Sequence, residues 1–332
     1  MRASKATHPE RTRLRGAVRI ARRRGLLIGA VVLASLGAAG PAQAAKLPDA
    51  LTGRATTVSY SSATLTGSVN PNGSETSYYF QYGLTKAFGA QTAIADAGAG
   101  TKAVKVDLPV SGLQPLTPYY YRLVAVNSVG ATLGRTETLL TTKVPLSLQM
   151  LTSPDPVVYG GTATVQGTLS GTENADREVV LQADQFPFTA GFQNVGNPEL
   201  TTAAGGFSFL VPGMALVTQF RVTTTTNPPV VSPVAVENVA VAVTSHVKTS
   251  RRAHFARFYG TVTPAEDGMQ IAILRIERGH GVLVGGAVLK HLTATSSSFS
   301  RVVRVKRGVY RVLVRVTTGA QVSSYSQPLA IR

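Results

Sequence analysis

The stretch LQPLTPYYYRLVAVNSVG, residues 113–130, decides the fold of this 332-residue chain. From Tyr119 onward apolar residues recur at every second position, which is the period of a half-buried β-strand. Asn127 and Gly130 close the stretch, and both residue types accept the backbone angles of tight turns. Helix signals are nearly absent after residue 44. The stretch therefore predicts a long strand ending in a turn, within an all-β protein.

A short phrase recurs at the spacing of a small β domain. Its glycines lie 100 and then 93 residues apart, and each copy has a β-run on both sides. That interval suits β-sandwich domains of roughly 100 residues. The three copies are Thr66-Gly67-Ser68-Val69, Gln166-Gly167-Thr168-Leu169 and Tyr259-Gly260-Thr261-Val262. The repeat predicts three tandem β-sandwich domains, at about 52–143, 145–245 and 246–332.

The second and third segments resemble each other and are interpreted as immunoglobulin-like. Three phrases follow in the same order in both, which favours one topology used twice. The second segment has Phe207-Ser208-Phe209, Phe220-Arg221-Val222 and Ser232-Pro233-Val234. The third has Phe299-Ser300, Tyr310-Arg311-Val312 and Ser326-Gln327-Pro328-Leu329.

Residues 1–44 have the order of an export signal peptide. Nine Lys or Arg and one acid precede Gly25, an apolar run follows to Gly40, and Ala42-Gln43-Ala44 is a small-x-small cleavage site. The run is shorter than the ~20 apolar residues of a membrane span. We expect an N-terminal helix cleaved after Ala44, and a secreted or extracellular mature chain, held at a cell surface only by noncovalent contact if at all. An uncleaved anchor and a twin-arginine signal at Arg23-Arg24 remain alternatives.

Charge is concentrated near the C-terminus. Residues 45–245 hold ten Lys or Arg and twelve Asp or Glu, whereas residues 246–332 hold fourteen and three. A basic domain beside near-neutral ones favours an anionic partner. For an exported chain, a cell-wall or other extracellular polymer is expected rather than nucleic acid. The chain has no cysteine, so it has neither a disulfide nor a thiolate metal site, which suits a bacterial secreted protein.

Residues 52–143 resemble the fibronectin type III family. The shared pattern comprises Leu113, Pro115, Thr117, Tyr119, Tyr121, Leu123, Ala125, Asn127 and Gly130. The resemblance implies a β-sandwich in which Leu113, Asn127 and Gly130 are structural. It also implies that Tyr119 bonds its hydroxyl back to the main chain as a tyrosine corner. Leu65 stands where the family commonly has tryptophan, and the variant looks like one found in exported bacterial proteins.

The segment 302–316 carries the sharpest candidate site. It is expected to form a hairpin that turns at Arg307-Gly308 and points Val303 and Val305 inward. The outward cations are then Arg304, Lys306, Arg311 and Arg315. Arg304 is predicted to lie across from Arg311, and facing like charges destabilise a sheet, so a bound polyanion would relieve the repulsion. Arg251, Arg252 and Arg257 extend the patch. The same residues also suit a solvated basic surface.

Two aromatic groups are candidates for binding a carbohydrate. Tyr79 and Tyr120 are expected on the outward side of their strands, and Phe186, Phe188 and Phe192 lie in a loop-like stretch. Core packing is the alternative for both groups. The acidic run at 173–178 offers oxygen ligands for calcium, but it lacks the spacing of a dedicated loop and also suits a solvated turn.

No catalytic pattern occurs in the sequence. There is no Gly-x-Ser-x-Gly turn, no His-x3-His pair and no evident pair of carboxylates for sugar hydrolysis. We therefore expect a non-enzymatic exported protein without cofactor or metal, an adhesion or spacer protein whose last domain binds an anion. A carbohydrate-binding accessory protein is the alternative. An enzyme would require a site assembled from distant loops.

Overall fold

The computed structural model describes residues 45–332; the predicted signal helix and Ala44 lie outside that range. Within that range, every element of regular secondary structure is a β-strand, so the all-β prediction is confirmed. In the same range no helix is long and apolar enough to cross a membrane. The strands form three successive β-sandwiches, named the first, second and third sandwich.

The first sandwich has nine strands in two sheets. They are β1 (Asp49–Thr52), β2 (Ser62–Asn70), β3 (Thr76–Gly83), β4 (Ala90–Gln91), β5 (Ala95–Gly98), β6 (Val104–Ser111), β7 (Pro118–Asn127), β8 (Gly130–Leu133) and β9 (Glu137–Leu140). One sheet has the order β1-β2-β6, and the other has the order β4-β3-β7-β8, with β5 beside β3 and β9 beside β7. Leu65 and Val106 of the first sheet share a buried core with Phe80 and Tyr121 of the second.

The second sandwich repeats this plan with ten strands. They are β10 (Ser147–Ser153), β11 (Val157–Val158), β12 (Ala163–Ser170), β13 (Glu178–Gln185), β14 (Gln193–Asn194), β15 (Glu199–Leu200), β16 (Gly206–Val211), β17 (Thr218–Thr224), β18 (Ala235–Glu237) and β19 (Val239–Ala240). The sheets are β10-β12-β16 and β14-β13-β17-β18, with β15 beside β13 and a separate parallel pair β11-β19. Val165 and Phe209 pack against Leu181 and Phe220 between them.

The third sandwich has nine strands and its own core. They are β20 (Ala242–Thr249), β21 (Phe255–Thr263), β22 (Gln270–Glu277), β23 (His280–Val288), β24 (Lys290–Thr293), β25 (Ser296–Arg304), β26 (Gly308–Val314), β27 (Ser324–Tyr325) and β28 (Leu329–Ile331). The sheets are β20-β21-β25-β24 and β23-β22-β26-β27, with β28 beside β26. β20 begins at Ala242, ahead of the predicted start at 246, because Val243 and Val247 pack on this core.

The repeated glycines occupy equivalent positions. Gly67, Gly167 and Gly260 lie on β2, β12 and β21, each of which is hydrogen-bonded on both sides in its sheet. A Cβ atom at any of them would overlap a main-chain oxygen of the preceding strand in the sheet, which belongs to Leu51, Gln149 and Thr244 respectively. The recurring phrase therefore marks the point where two strands approach too closely for a side chain.

An arginine recurs on the strand that follows the crossing between the two sheets. Arg122, Arg221 and Arg311 each come directly after a buried aromatic residue, namely Tyr121, Phe220 and Tyr310. Each guanidinium lies over a second ring, at 4.6 Å from that of Phe88, 4.1 Å from that of Phe192 and 5.0 Å from that of Tyr325. Cation–π contacts of this kind contribute about 0.5–1 kcal/mol at exposed sites. The arrangement makes these three arginines part of the fold.

The predicted hairpin at 302–316 is wrong in its pairing. Val303, Val305, Tyr310, Val312 and Val314 are buried, which confirms the predicted alternation. However, β25 pairs with β21 and β26 pairs with β22, so the chain crosses from one sheet to the other between them. Alternation reports which side a residue faces, but it does not report the partner strand.

Candidate anion-binding face

The four predicted cations do not share one sheet. Arg304 is on β25, whereas Arg311 is on β26 and Arg315 follows it. Arg304 pairs with Phe255, and Arg311 pairs with Leu274. The predicted opposition of Arg304 and Arg311 is therefore wrong, because the outer faces of two packed sheets point in opposite directions. Lys306 lies exposed in the connection between the strands.

Arg311 is also held by neighbours of its own sheet. Its Nε donates to the main-chain oxygen of Ser326 over 2.9 Å, and its guanidinium covers the Tyr325 ring. Of the four outward cations predicted for segment 302–316, Arg304 alone lies on the sheet β20-β21-β25-β24, where Arg257 of the predicted extension also lies.

The outer surface of that sheet brings together cations from all four strands. Ala256, Phe258, Phe299 and Val303 point into the core, so the residues between them point outward. The outward rows run across the strands. Lys248 lies opposite Arg257, then His246 opposite Tyr259 and Ser300, and then Thr244 opposite Thr261, Ser298 and Lys290. Arg304 lies one row beyond Arg257. This surface, from Lys248 and Arg304 to Lys290, is named the basic face.

The basic face contains a real like-charge pair. Lys248 and Arg257 are direct partners in the antiparallel pairing of β20 and β21, and both are exposed. Opposed side chains of this kind have Cβ atoms about 4.5–5.5 Å apart, and like charges there are destabilising. Arg304 adds a third cation diagonally across β25, roughly 7–8 Å from Arg257. The repulsion predicted for Arg304 and Arg311 thus occurs between different residues.

No acid among residues 45–332 pairs with these cations. The segments 242–263 and 290–304 contain no Asp or Glu. The three acids of the third sandwich have other roles: Glu277 pairs with Arg275 at 2.8 Å, Glu266 is buried, and Asp267 contacts His291. Within residues 45–332, no Lys or Arg of the basic face makes an ion pair. The face therefore has an uncompensated positive potential that attracts anions.

Hydroxyl groups surround the aromatic residues of the face. Arg257 Nε donates to the Ser300 hydroxyl over 2.7 Å, and the hydroxyls of Thr244 and Thr261 lie 2.6 Å apart. An open depression of about 760 Å³ lies over this region, lined among others by Tyr259 and Lys290. The depression thus offers positive charge together with groups that both donate and accept hydrogen bonds.

A cluster of Ser297, Asp267 and His291 lies at the edge of the same sheet. The Ser297 hydroxyl donates to Asp267 Oδ1, and His291 Nδ1 lies 2.9 Å from Oδ2. The bond from Ser297, with a smaller contribution from His291, lowers the pKa of Asp267. In a catalytic triad the histidine lies between the hydroxyl and the carboxylate. Here the carboxylate lies between the other two groups and Ser297 is fully buried, so the cluster fixes a loop and does not activate the hydroxyl.

Two positive groups pair with Glu173, the first acid of the run at 173–178. Glu173 Oε2 lies 2.7 Å from Lys143 Nζ and 2.9 Å from an Arg177 nitrogen. The hydrogen bond from Lys143, followed by the charge of that residue, lowers the pKa of Glu173. Within residues 45–332, no group of three or more His, Cys, Asp or Glu has a metal-binding arrangement.

The predicted aromatic residues form no single surface. Tyr79 and Tyr120 both point outward on the larger sheet of the first sandwich, and both are partly buried. The row that joins Gln81 to Arg122 separates them, with Arg122 Nε bonded to Gln81 over 2.8 Å. The two tyrosines are thus on one face without being neighbours.

The three loop phenylalanines pack against other side chains of the protein. Phe186 and Phe188 make an edge-to-face contact at 5.8 Å, and Phe192 covers Arg221. A Cβ added to Gly319 of the third sandwich would lie 2.9 Å from the Phe186 ring. Phe186 therefore packs where the second and third sandwiches meet, and the loop is not a free aromatic patch.

The residues that the resemblance marks as structural make local contacts in the first sandwich. The Gln114 N–H donates to the Tyr119 hydroxyl over 2.9 Å, which is the main-chain bond of a tyrosine corner. Leu113 is buried. Asn127 Oδ1 accepts from the main-chain nitrogens of Val129 and Gly130, which closes the turn after β7.

Lys248, His246, Tyr259 and Lys290 were not singled out by sequence reasoning. Part of the signal existed, since residues 242–263 contain six Lys, Arg or His and no acid. What the sequence lacked was the pairing of β21 with β25, whose partners lie 35 to 49 positions apart.

Comparisons with known proteins show distant likenesses. No family model matches the chain, and no curated protein matches it. Similar solved structures include the FN1–FN3 domains of chicken CNTN1 (15% identity, 85% of this chain, 97% of that chain, TM-score 0.31). Domains A168–A170 of titin are 12% identical to this chain, and the match covers 85% of this chain and 97% of that one, with a TM-score of 0.35. Trypsin-activated α2-macroglobulin from Escherichia coli is 10% identical, and the match covers 82% of this chain and 23% of that one, with a TM-score of 0.25. Likenesses at these TM-scores carry no argument about function.

Proposed function

We propose that this chain is an exported, non-enzymatic binding protein whose third sandwich holds an anionic polymer on the basic face. The observation that carries the proposal is the uncompensated charge: Lys248, Arg257, Lys290 and Arg304 share one sheet surface that has no acid among its strands. A linear polyanion lying across the strands would neutralise the opposed Lys248 and Arg257. The first and second sandwiches would act as a spacer or as further binding modules.

The site has the character of a surface that attracts a polymer. It is open, its cations are spread over four strands, and its hydroxyls bond to one another or to Arg257. Such a surface makes several weak contacts along an extended ligand, and salt screens each of them because they are exposed. The proposal includes no catalytic step.

The binding test compares two variants that lose equal charge. The face variant carries Lys248→Gln, Arg257→Gln and Arg304→Gln. The remote variant carries Arg278→Gln, Arg315→Gln and Arg332→Gln, three exposed positions on the strands and turns of the opposite sheet. On beads coated with linear polyphosphate at low salt, we expect the wild type and the remote variant to be retained and the face variant to elute. Equal loss in both variants would show that net charge alone acts, and it would refute the site.

Export is proposed from the order of residues 1–44 and has its own test. The full chain is produced in a bacterial host, and the protein outside the cytoplasm is sequenced from its N-terminus. We expect the chain to begin at Ala45. Recovery only of an intact chain in the cytoplasm would contradict this part of the proposal, without bearing on the basic face.

A further inference from the structure

The middle of the basic face is aromatic rather than charged. His246 and Tyr259 are direct partners across β20 and β21, with ring centroids 5.5 Å apart and planes inclined by 33°. Both side chains are exposed, Tyr259 at 38%. The Arg257 guanidinium lies 5.7 Å from the Tyr259 ring. An exposed ring pair on a sheet surface offers a flat apolar platform with polar tips.

Hydroxyl-bearing residues lie on two sides of this platform. Ser300 shares its row, and Thr244, Thr261 and Ser298 form the next row. A hydroxyl both donates and accepts, which matches the hydroxyls around a sugar ring. In contrast, no Asn or Gln occurs in segments 242–263 and 290–304, although amide side chains are common readers of nucleic-acid bases.

The cations lie at the two ends of the platform. Lys290 is in the row of Thr261, and Arg257 is two rows away along β21. Four residues along a strand span about 13 Å, and Lys290 also lies two strand spacings, about 10 Å, across the sheet on β24. A ligand that fits must therefore carry acidic groups on both sides of an uncharged ring. Bare polyphosphate satisfies the cations and leaves the platform without a partner.

We infer that the ligand of the basic face is an acidic polysaccharide in which neutral and acidic sugars alternate. This inference rests on the proposed function, since it names the class of polymer that the same face takes. The neutral sugar lies over Tyr259 and His246, the hydroxyl rows bond to its rim, and its acidic neighbours meet Lys290 on one side and Arg257 with Lys248 on the other.

The test measures Tyr259→Ala against two polyanions. Hyaluronate alternates acidic and neutral sugars, and linear polyphosphate has charge without rings. We expect Tyr259→Ala to weaken hyaluronate binding about tenfold, the scale of one lost aromatic contact, and to change polyphosphate binding less than twofold. Retained polyphosphate binding also shows that the variant is folded. Tyr60→Ala, at an exposed tyrosine of the first sandwich, should change neither.

The outcomes separate this inference from the proposed function. If Tyr259→Ala leaves hyaluronate binding unchanged while the face variant loses both ligands, the polysaccharide is refuted and the anion-binding face stands. If the face variant binds both ligands as the wild type does, both ideas fail. Tighter binding of oligo-dT or of anionic lipid vesicles than of hyaluronate would assign the face to nucleic acid or to membranes, and would likewise overturn the inference.

Discussion

Replacing Tyr310 by Phe tests how the third sandwich is held together at the crossing between its sheets. Tyr310 is fully buried. Its hydroxyl accepts from the Lys306 N–H over 2.9 Å and donates to the Lys306 main-chain oxygen over 2.8 Å. It thereby ties down the connection from Arg304 to Gly308, which leads from one sheet to the other.

The variant Tyr310→Phe removes both bonds and leaves the shape of the ring unchanged. A hydrogen bond of this kind contributes about 0.5–1.5 kcal/mol, so losing two of them costs about 1–3 kcal/mol. A loss of about 2 kcal/mol in a domain of this size lowers its melting temperature by roughly 8–16 °C. Differential scanning calorimetry would show this shift in the transition of the third sandwich. The Lys306 amide should also exchange its hydrogen faster.

Tyr259→Phe is the matched control, because it removes an exposed hydroxyl from the same sandwich. We expect its stability to stay within about 0.5 kcal/mol of the wild type. A shift below about 2 °C for Tyr310→Phe, with unchanged exchange at Lys306, would refute the reasoning that this hydroxyl secures the crossing.

Three further substitutions test close packing and a buried carboxyl. Gly167→Ala should cost about 1–3 kcal/mol by overpacking, measured by urea unfolding against Gly100→Ala, which meets no atom within 4 Å; equal midpoints would contradict this. Burial, the largest cause, raises the pKa of Glu237 above its ordinary 4.5, so its folded form favours the proton. The stability that Glu237 contributes is full below about 4.5 and is lost as the pH rises through the folded pKa. Glu237→Gln should therefore raise the urea midpoint at pH 7 more than at pH 4, and an equal change at both would count against it. Gly319→Val should lower the melting temperature through contact with Phe186 and through a backbone φ of +83°; an unchanged transition would remove that contact from the account.

The sequence predicts the class of fold because the relevant signals are local. Alternation along residues 302–316 identifies Val303, Val305 and Val312 as core residues, and the repeated glycine phrase marks an equivalent strand in each sandwich. Both features depend on side chains within a few positions of each other. Local patterns of this kind survive in a single sequence.

The pairing of strands was not predictable in the same way. A short turn between β25 and β26 suits a hairpin as well as it suits a crossing, and alternation is identical in both cases. The signal that distinguishes them is the phrase of an aromatic residue followed by arginine. Tyr121-Arg122 and Tyr310-Arg311 both follow a crossing between sheets. The position of this phrase in the first sandwich therefore indicates a crossing, and not a hairpin, in the third.

The candidate site depends on the pairing of strands, which the sequence did not predict. Arg304 and Arg257 could be named from the sequence as cations, but only the pairing of β21 with β20 and β25 brings Arg257 beside Lys248 and Arg304. Arg257 and Arg304 lie 47 positions apart and share no motif, so the register of β21 and β25 alone makes them neighbours. A charge count could therefore predict a basic domain, and could not predict which surface is basic.

The salt dependence of binding tests the central claim most directly. Four cations at one face predict that the logarithm of the binding constant for linear polyphosphate falls with the logarithm of salt concentration at a slope of about −2.8, taking about −0.7 for each neutralised charge. Affinity should then fall about 50-fold between 50 and 200 mM salt, whereas the face variant, which keeps only Lys290, should lose roughly threefold. A slope near zero for the wild type, or the same slope in both proteins, would contradict the account.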